Sequence, residues 1–246
     1  MKMVFLKWMF QIKGYWKPST NVMNDLTITQ SRTPEDMKIT NDSKRYLIKI
    51  IDYCVKNGIG LTLFVALMYE LEPISTEGYD NYYNFVKDIA KEYEIPFYDF
   101  NLIKKEYLSL TKTDFINVGH LNERGAKKFT NSFMKVLEYE GNKEDFFYST
   151  FEERMQETDS AFYGIYWKDE TDRKVAVLAA NQNMPFDFKV SLIGKDEENR
   201  KLPEVVLQDW GETGEYIIPN SESGEIIVEW KLKNNSKEIE RASFAY

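Results

Sequence analysis

The chain has 246 residues, 43% apolar and 29% charged, a balance that fits a folded globular protein and excludes disorder throughout. Its formal charge is −8 and no Lys/Arg run interrupts the acidic surface, so nucleic acid is a poor partner. One cysteine (Cys54) and one histidine (His120) exclude an intrachain disulfide and a Cys/His zinc site, and nothing else in the sequence calls for a metal or a cofactor.

Met1–Trp16 is apolar but carries Lys2, Lys7 and Lys13. It does not read as a signal peptide, because Lys7 and Lys13 break the apolar region and no small-residue cleavage site follows. A bilayer span needs about 20 apolar residues, so it is also too short for a transmembrane segment. It reads as a helix packed on the domain or as a segment whose partner sequence is missing. A helix lying on a membrane surface is the weaker alternative.

From Thr40 to Leu137 helical and strand patterns alternate. Asn41 and Asp42 are N-cap candidates, and Tyr46, Leu47, Ile50, Ile51, Cys54 and Val55 recur at helical spacing before Gly58. Cys54 on that stripe is expected to be a buried small hydrophobe. Leu61–Leu67 is a short continuous apolar run, as expected of a strand buried on both faces. A loop with Pro73, Ser75 and Gly78 follows. Tyr82, Phe85, Ile89 and Tyr93 then mark a helix, Ile95–Phe100 a strand, and Ala126, Phe129, Phe133 and Leu137 a third helix. Alternation of this kind predicts a parallel sheet with helical crossovers. Two clear strands are few for a doubly covered sheet, so the unit reads as incomplete at its amino-terminal end.

Residues 142–159 are charged with scattered aromatics and read as a connecting helix. Beyond them the period becomes two. Phe186, Phe188, Val190 and Leu192 alternate with polar residues, as do Ile226, Val228, Trp230 and Leu232 with their neighbours. Gly194, Gly211, Gly214, Pro219-Asn220 and Gly224 punctuate these runs, which suggests a small β-sandwich. The aromatic content of 15% is assigned to core and sheet faces in preference to sugar-stacking platforms. The domain reading is an incomplete α/β domain over 1–141, the connecting helix over 142–159, and an accessory β-sandwich over 160–246.

The stretch richest in chemistry is Thr113–Thr130, TDFINVGHLNERGAKKFT. It places His120 in a loop ahead of a helix that Asn122 can cap, with Gly125 and Ala126 allowing close packing. A histidine at the carboxyl edge of a parallel sheet stands where α/β folds place catalytic groups, although on spacing alone a lone loop histidine with a structural hydrogen bond is the favoured reading.

Asp114-Phe115-x-x-x-x-His120-Leu121-Asn122-x-x-Gly125-Ala126-x-x-Phe129-Thr130 resembles the closing motif of SGNH (GDSL-like) hydrolases of the bacterial cell-envelope branch, a pattern close to DFxDxxHLNxxGAxxFT. The preceding text is similar too, from Tyr46-Leu47 and Asn57-Gly58-Ile59 to Ile95-Pro96-Phe97-Tyr98-Asp99-Phe100-Asn101, so the resemblance covers roughly residues 40–140. It implies a flavodoxin-like α/β fold with a parallel sheet, here partial, and serine-based ester hydrolysis or O-acyl transfer on cell-envelope glycans. It also implies an extracellular or cell-envelope location and an envelope polysaccharide or protein as partner. In such a site Ser attacks the ester carbonyl, His takes its proton, and an Asp three residues before the His fixes the ring.

Carried over residue by residue, the resemblance makes His120 the general base and puts Asn117 at the position of the triad Asp. An amide supplies no negative charge, and loss of the orienting carboxylate in a Ser-His-Asp triad lowers turnover about 10⁴-fold. Asp114 holds a different place in the motif. No nucleophile is found, since neither Ser19 nor Ser31 follows an apolar strand or sits in a GDS-type turn, and Val22-Met23-Asn24-Asp25 lacks the Gly of the family's GxND block. The β module resembles accessory sandwiches through Leu207, Trp210, Tyr216 and Gly224. The acid pairs Glu152-Glu153 and Glu197-Glu198 read as solvated surface. The sequence therefore points to a truncated or catalytically degenerate SGNH-like protein, with a non-catalytic glycan- or protein-binding module of the envelope as the alternative. A third reading is an esterase that recruits a serine from elsewhere, such as a partner chain.

Overall fold

The computed structural model describes residues 23, 27–28, 39–76, 79–157, 161–170, 173–181, 184–196, 198–219, 223–233 and 238–246. The amino-terminal segment, Ser19, Ser31 and all of the Val22–Asp25 block but Met23 lie outside the described residues. The first elements in chain order are β1 (Thr27–Ile28), α1 (Asn41–Lys56), β2 (Leu63–Val65), α2 (Leu71–Ser75), α3 (Tyr79–Glu92) and β3 (Phe97–Asp99). Next come β4 (Phe115–Asn117), β5 (His120–Leu121), α4 (Glu123–Glu138) and α5 (Phe151–Gln156). The rest are strands: β6 (Phe162–Glu170), β7 (Arg173–Ala180), β8 (Phe186–Gly194), β9 (Val205–Gly211), β10 (Glu215–Pro219), β11 (Gly224–Leu232) and β12 (Glu240–Ala245). They fall into two units. One holds Met1–Val22, Arg32–Tyr69 and Thr76–Arg154, and the other Met23–Ser31, Glu70–Ser75 and Met155–Tyr246.

In the helix-and-strand unit, α1 begins where the Thr40 hydroxyl accepts the Ser43 N–H at 3.1 Å, so the cap is Thr40 and not Asn41 or Asp42. Gly58, at φ +61°, carries the chain out of the helix. The buried stripe is Leu47, Ile51 and Cys54, whereas Tyr46 and Val55 are 54% and 60% exposed. That stripe packs with Leu61 and Leu63, which flank and begin the first strand of a parallel pair. Those strands, β2 and β3, pair in parallel from Leu63↔Phe97 to Val65↔Asp99, with α3 in the crossover. The parallel sheet expected from the alternation is thus a two-stranded one among the described residues. β2 is shorter than the apolar run around it, and Phe64, Val65 and Ala66 are partly exposed instead of buried on both faces. Leu61, Leu63, Ile89 and Ala90 close the core against α1. Residues 143–156 form a 3-10 turn (Lys143–Phe146) and the short α5 in place of one continuous helix.

The β-rich unit has two four-stranded sheets, β1-β6-β7-β10 and β12-β11-β8-β9, whose pairings are antiparallel except β1 with β6. Ile165, Trp167 and Leu178 of one sheet and Phe188, Val190, Ile226 and Val228 of the other share one core, a sandwich-like arrangement. The two alternating runs seen in the sequence are β8 and β11, paired with Phe188 opposite Trp230 and Val190 opposite Val228. β6 and β7 lack that alternation for a physical reason. Val175 to Ala179 are all buried, and α2, in the stretch expected to be a loop, packs on β6 and β7. Pro73 is tolerated there because it lies in the first turn, where its missing N–H has no helical partner to lose. Among the described residues no helix is long and apolar enough to cross a membrane.

Candidate functional site

His120 and Asn117 are opposed across a two-strand hairpin, β4 to β5, with Val118 and Gly119 at its turn. The turn forms because the Asn117 side-chain oxygen accepts the Gly119 N–H at 3.1 Å, a local bond that asparagine makes readily two residues along the chain. The same Oδ1 lies 2.8 Å from His120 Nδ1. A carbonyl oxygen only accepts, so Nδ1 carries the proton and the lone pair of the neutral ring sits on Nε2. The Gly119 bond independently fixes which end of the amide faces the ring. Both side chains are exposed, and among the described residues no serine hydroxyl hydrogen-bonds the imidazole.

The neighbouring motif residues hold this hairpin on α4. Asn122 caps α4 by accepting the Gly125 N–H at 3.0 Å and donates its own amide to the Thr113 carbonyl at 2.7 Å. Its backbone N–H reaches the Asp114 carbonyl at 3.0 Å. A Cβ at Gly125 would lie 2.1 Å from that carbonyl oxygen, so glycine is what lets the helix approach. Phe115 is 1% exposed and meets the Tyr69 ring edge-on at 5.5 Å, while the Tyr69 N–H donates to the Val118 carbonyl at 2.8 Å.

Asp114 is fully buried and does not reach His120. Its carboxylate takes Arg124 Nε at 2.6 Å, Lys128 Nζ at 2.9 Å and the Thr111 N–H at 2.9 Å. Burial pushes its proton affinity up, but the bonds from Arg124, Lys128 and Thr111 outweigh it and hold the carboxyl below its ordinary range. Asp114 therefore anchors the hairpin to α4 and does not orient the His120 ring.

A second polar cluster was not assigned a role from the sequence. At the carboxyl end of β3, Asp99 is 3% exposed and accepts the Tyr79 hydroxyl at 2.5 Å on Oδ2. Its Oδ1 accepts the Asn101 backbone N–H at 2.8 Å and the Asn101 amide at 3.0 Å. The Asn101 amide also donates to the Tyr79 hydroxyl at 2.9 Å, and its oxygen accepts the Met68 N–H at 2.8 Å. Among the described residues no cation hydrogen-bonds the carboxylate. Burial dominates and lifts Asp99 to about 6 despite the bonds from Tyr79 and Asn101, and burial beside that carboxylate drives the Tyr79 phenol well up. The one available signal was the pair of polar residues, Asp99 and Asn101, flanking the end of an apolar strand.

Among the described residues no group of three His, Cys, Asp or Glu side chains is placed to hold a metal ion. In the β-rich unit, Lys231 lies 3.8 Å from the centre of the Trp210 ring and the Tyr216 hydroxyl donates to Gln208 at 2.6 Å, so both aromatics already serve internal contacts. No protein-family model, no curated protein and no solved structure matches this chain.

Proposed function

We propose that the helix-and-strand unit is a flavodoxin-like SGNH hydrolase domain, related to serine esterases and O-acyltransferases of cell-envelope glycans, whose catalytic site is degenerate. One observation carries the reading: a histidine held through Nδ1, at 2.8 Å, by the residue three positions before it. That is the tautomer a Ser-His-Asp site requires, at the spacing the SGNH resemblance implies, with an amide where the carboxylate belongs. With Nε2 free to accept a proton, the ring can act as a base toward a hydroxyl. Asn117 fixes the ring's orientation but lends no charge to an imidazolium, and a triad so altered is slower by about 10⁴-fold.

The full-length chain should give no His120-dependent release of 4-nitrophenol from 4-nitrophenyl acetate, while acetylated xylo-oligosaccharides perturb the His120 ring resonances. Turnover that disappears in His120→Ala would defeat the claim of degeneracy. The exposed imidazole without a serine partner among the described residues also favours a second reading, a non-catalytic envelope module that binds glycan or protein. Oligosaccharide binding that leaves the ring resonances untouched and moves signals on β8 and β11 would select it.

A further inference from the structure

The cluster of Tyr79, Asp99 and Asn101 is tied to the His120 hairpin through the main chain. Asn101 Oδ1 holds the Met68 N–H. The next residue, Tyr69, donates its N–H to Val118 and sets its ring against Phe115. Val118 lies between Asn117 and His120, and Phe115 begins the strand that ends at Asn117. The hold on the hairpin thus starts at a buried carboxylate.

The proton inventory of that cluster is exact only in one state. With Asp99 ionised, the Tyr79 hydroxyl, the Asn101 backbone N–H and both amide hydrogens of Asn101 each meet an acceptor. One added proton leaves a surplus: either the Asp99 or the Tyr79 hydroxyl then faces an oxygen that already bears hydrogen. A buried donor without an acceptor is costly. Turning the Asn101 carboxamide relieves it by presenting Oδ1 to the surplus proton, and the same turn presents NH₂ to the Met68 N–H, which loses its acceptor.

We propose that the Tyr79–Asp99–Asn101 cluster positions the His120 hairpin and that a proton taken up by the cluster releases it, through rotation of Asn101 away from Met68. The groups that face Asp99 are Tyr79, Tyr82 and Tyr83 of α3 and Arg154 of α5, the last favouring the ionised state. Burial places the uptake near pH 6, within reach of a mildly acidic environment. As regulation, the proposal rests on His120 being the functional group of the site. The coupling itself does not.

The test follows the backbone amides of Met68 and Gly119 by ¹H–¹⁵N NMR from pH 5 to 8 in the full chain carrying His120→Gln, which removes the imidazole. Both amides should move together with a midpoint near 6, and the transition should be absent when Asp99→Asn is added. Tyr79→Phe deletes a bond to the ionised carboxylate, so it should raise the shared midpoint by about one pH unit. A Gly119 amide that stays still while Met68 titrates overturns the coupling, as does a midpoint that Tyr79→Phe leaves in place. No ester or glycan enters this measurement, so its failure would leave the ester-site reading standing, and the loss of that reading would leave this result standing.

Discussion

Asp99 and Asp114 are both buried carboxyls of the same unit, at 3% and 0% exposure, and they are held in opposite ways. Asp114 sits at the hairpin against α4, where Arg124 and Lys128 reach in from solvent and leave its proton affinity low. Asp99 sits at the end of β3 among neutral donors, and its proton affinity rises to about 6. Neutral hydrogen bonds satisfy geometry but supply too little charge to offset desolvation. One carboxylate is therefore a fixed anchor near neutral pH, and the other is a group whose charge depends on the surroundings.

The most severe way to break the comparison is to push α4 off its anchor. Gly125→Ala places a methyl 2.1 Å from the Asp114 backbone oxygen, which no side-chain rotation relieves. Overpacking against main chain forces a backbone shift, and a loss of about 3 kcal/mol or more in urea denaturation is expected. A change below about 1 kcal/mol would mean that the approach is not obligatory.

The next prediction sharpens the comparison by pH. The folded Asp99 binds its proton more tightly than the unfolded one, about 6 against 3.8. Its contribution to stability is thus fully present below the unfolded value and is lost as pH rises through 6. A displacement of that size corresponds to about 3 kcal/mol. Asp114 runs the other way: its contribution is present above its unfolded value of 3.8 and is lost as pH falls through its lower folded value. The windows do not overlap. Urea titrations from pH 4 to 7 should show wild type losing about 2 kcal/mol relative to Asp99→Asn, most of the full difference, and almost nothing relative to Asp114→Asn. Parallel curves for wild type and Asp99→Asn would remove the distinction between the two carboxyls.

This contrast also separates what was readable in the chain from what was not. The helix α4 was legible, because Asn122 and Gly125 act on neighbours within a few residues and leave a local pattern, but the hairpin was not: the stretch holding His120 read as a loop, and it forms the antiparallel pair β4 and β5. Asp114 was legible as a motif residue but not as an ion-pair centre, since Arg124 and Lys128 look like any solvated helix cations. The Asp99 cluster was not legible: Tyr79 lies 20 residues from Asp99, and only the crossover through α3 brings the two together. The same holds for β6 and β7, whose strand period is erased by α2, and for Tyr46 and Val55, which helical spacing puts on a stripe but which are left exposed by the described residues. Local periodicity reports one buried face. It is silent where an element is covered twice or hardly at all.

His120→Ala carries the smallest expected effect and separates the site from the anchors around it. The imidazole is exposed, its hydrogen bond is to an exposed amide, and Asn117 keeps its turn bond to Gly119 when the ring is gone. Asn122, Gly125, Asp114 and Tyr69 hold the hairpin without it. A surface substitution that touches none of the fold's buried contacts changes stability by about 0.5 kcal/mol or less, which urea denaturation at pH 7 would verify. A loss above about 1 kcal/mol would make His120 one more anchor of the hairpin and weaken the case that it faces a ligand. A near-zero change separates the only histidine of the chain from the anchors of the hairpin, as the proposed site requires.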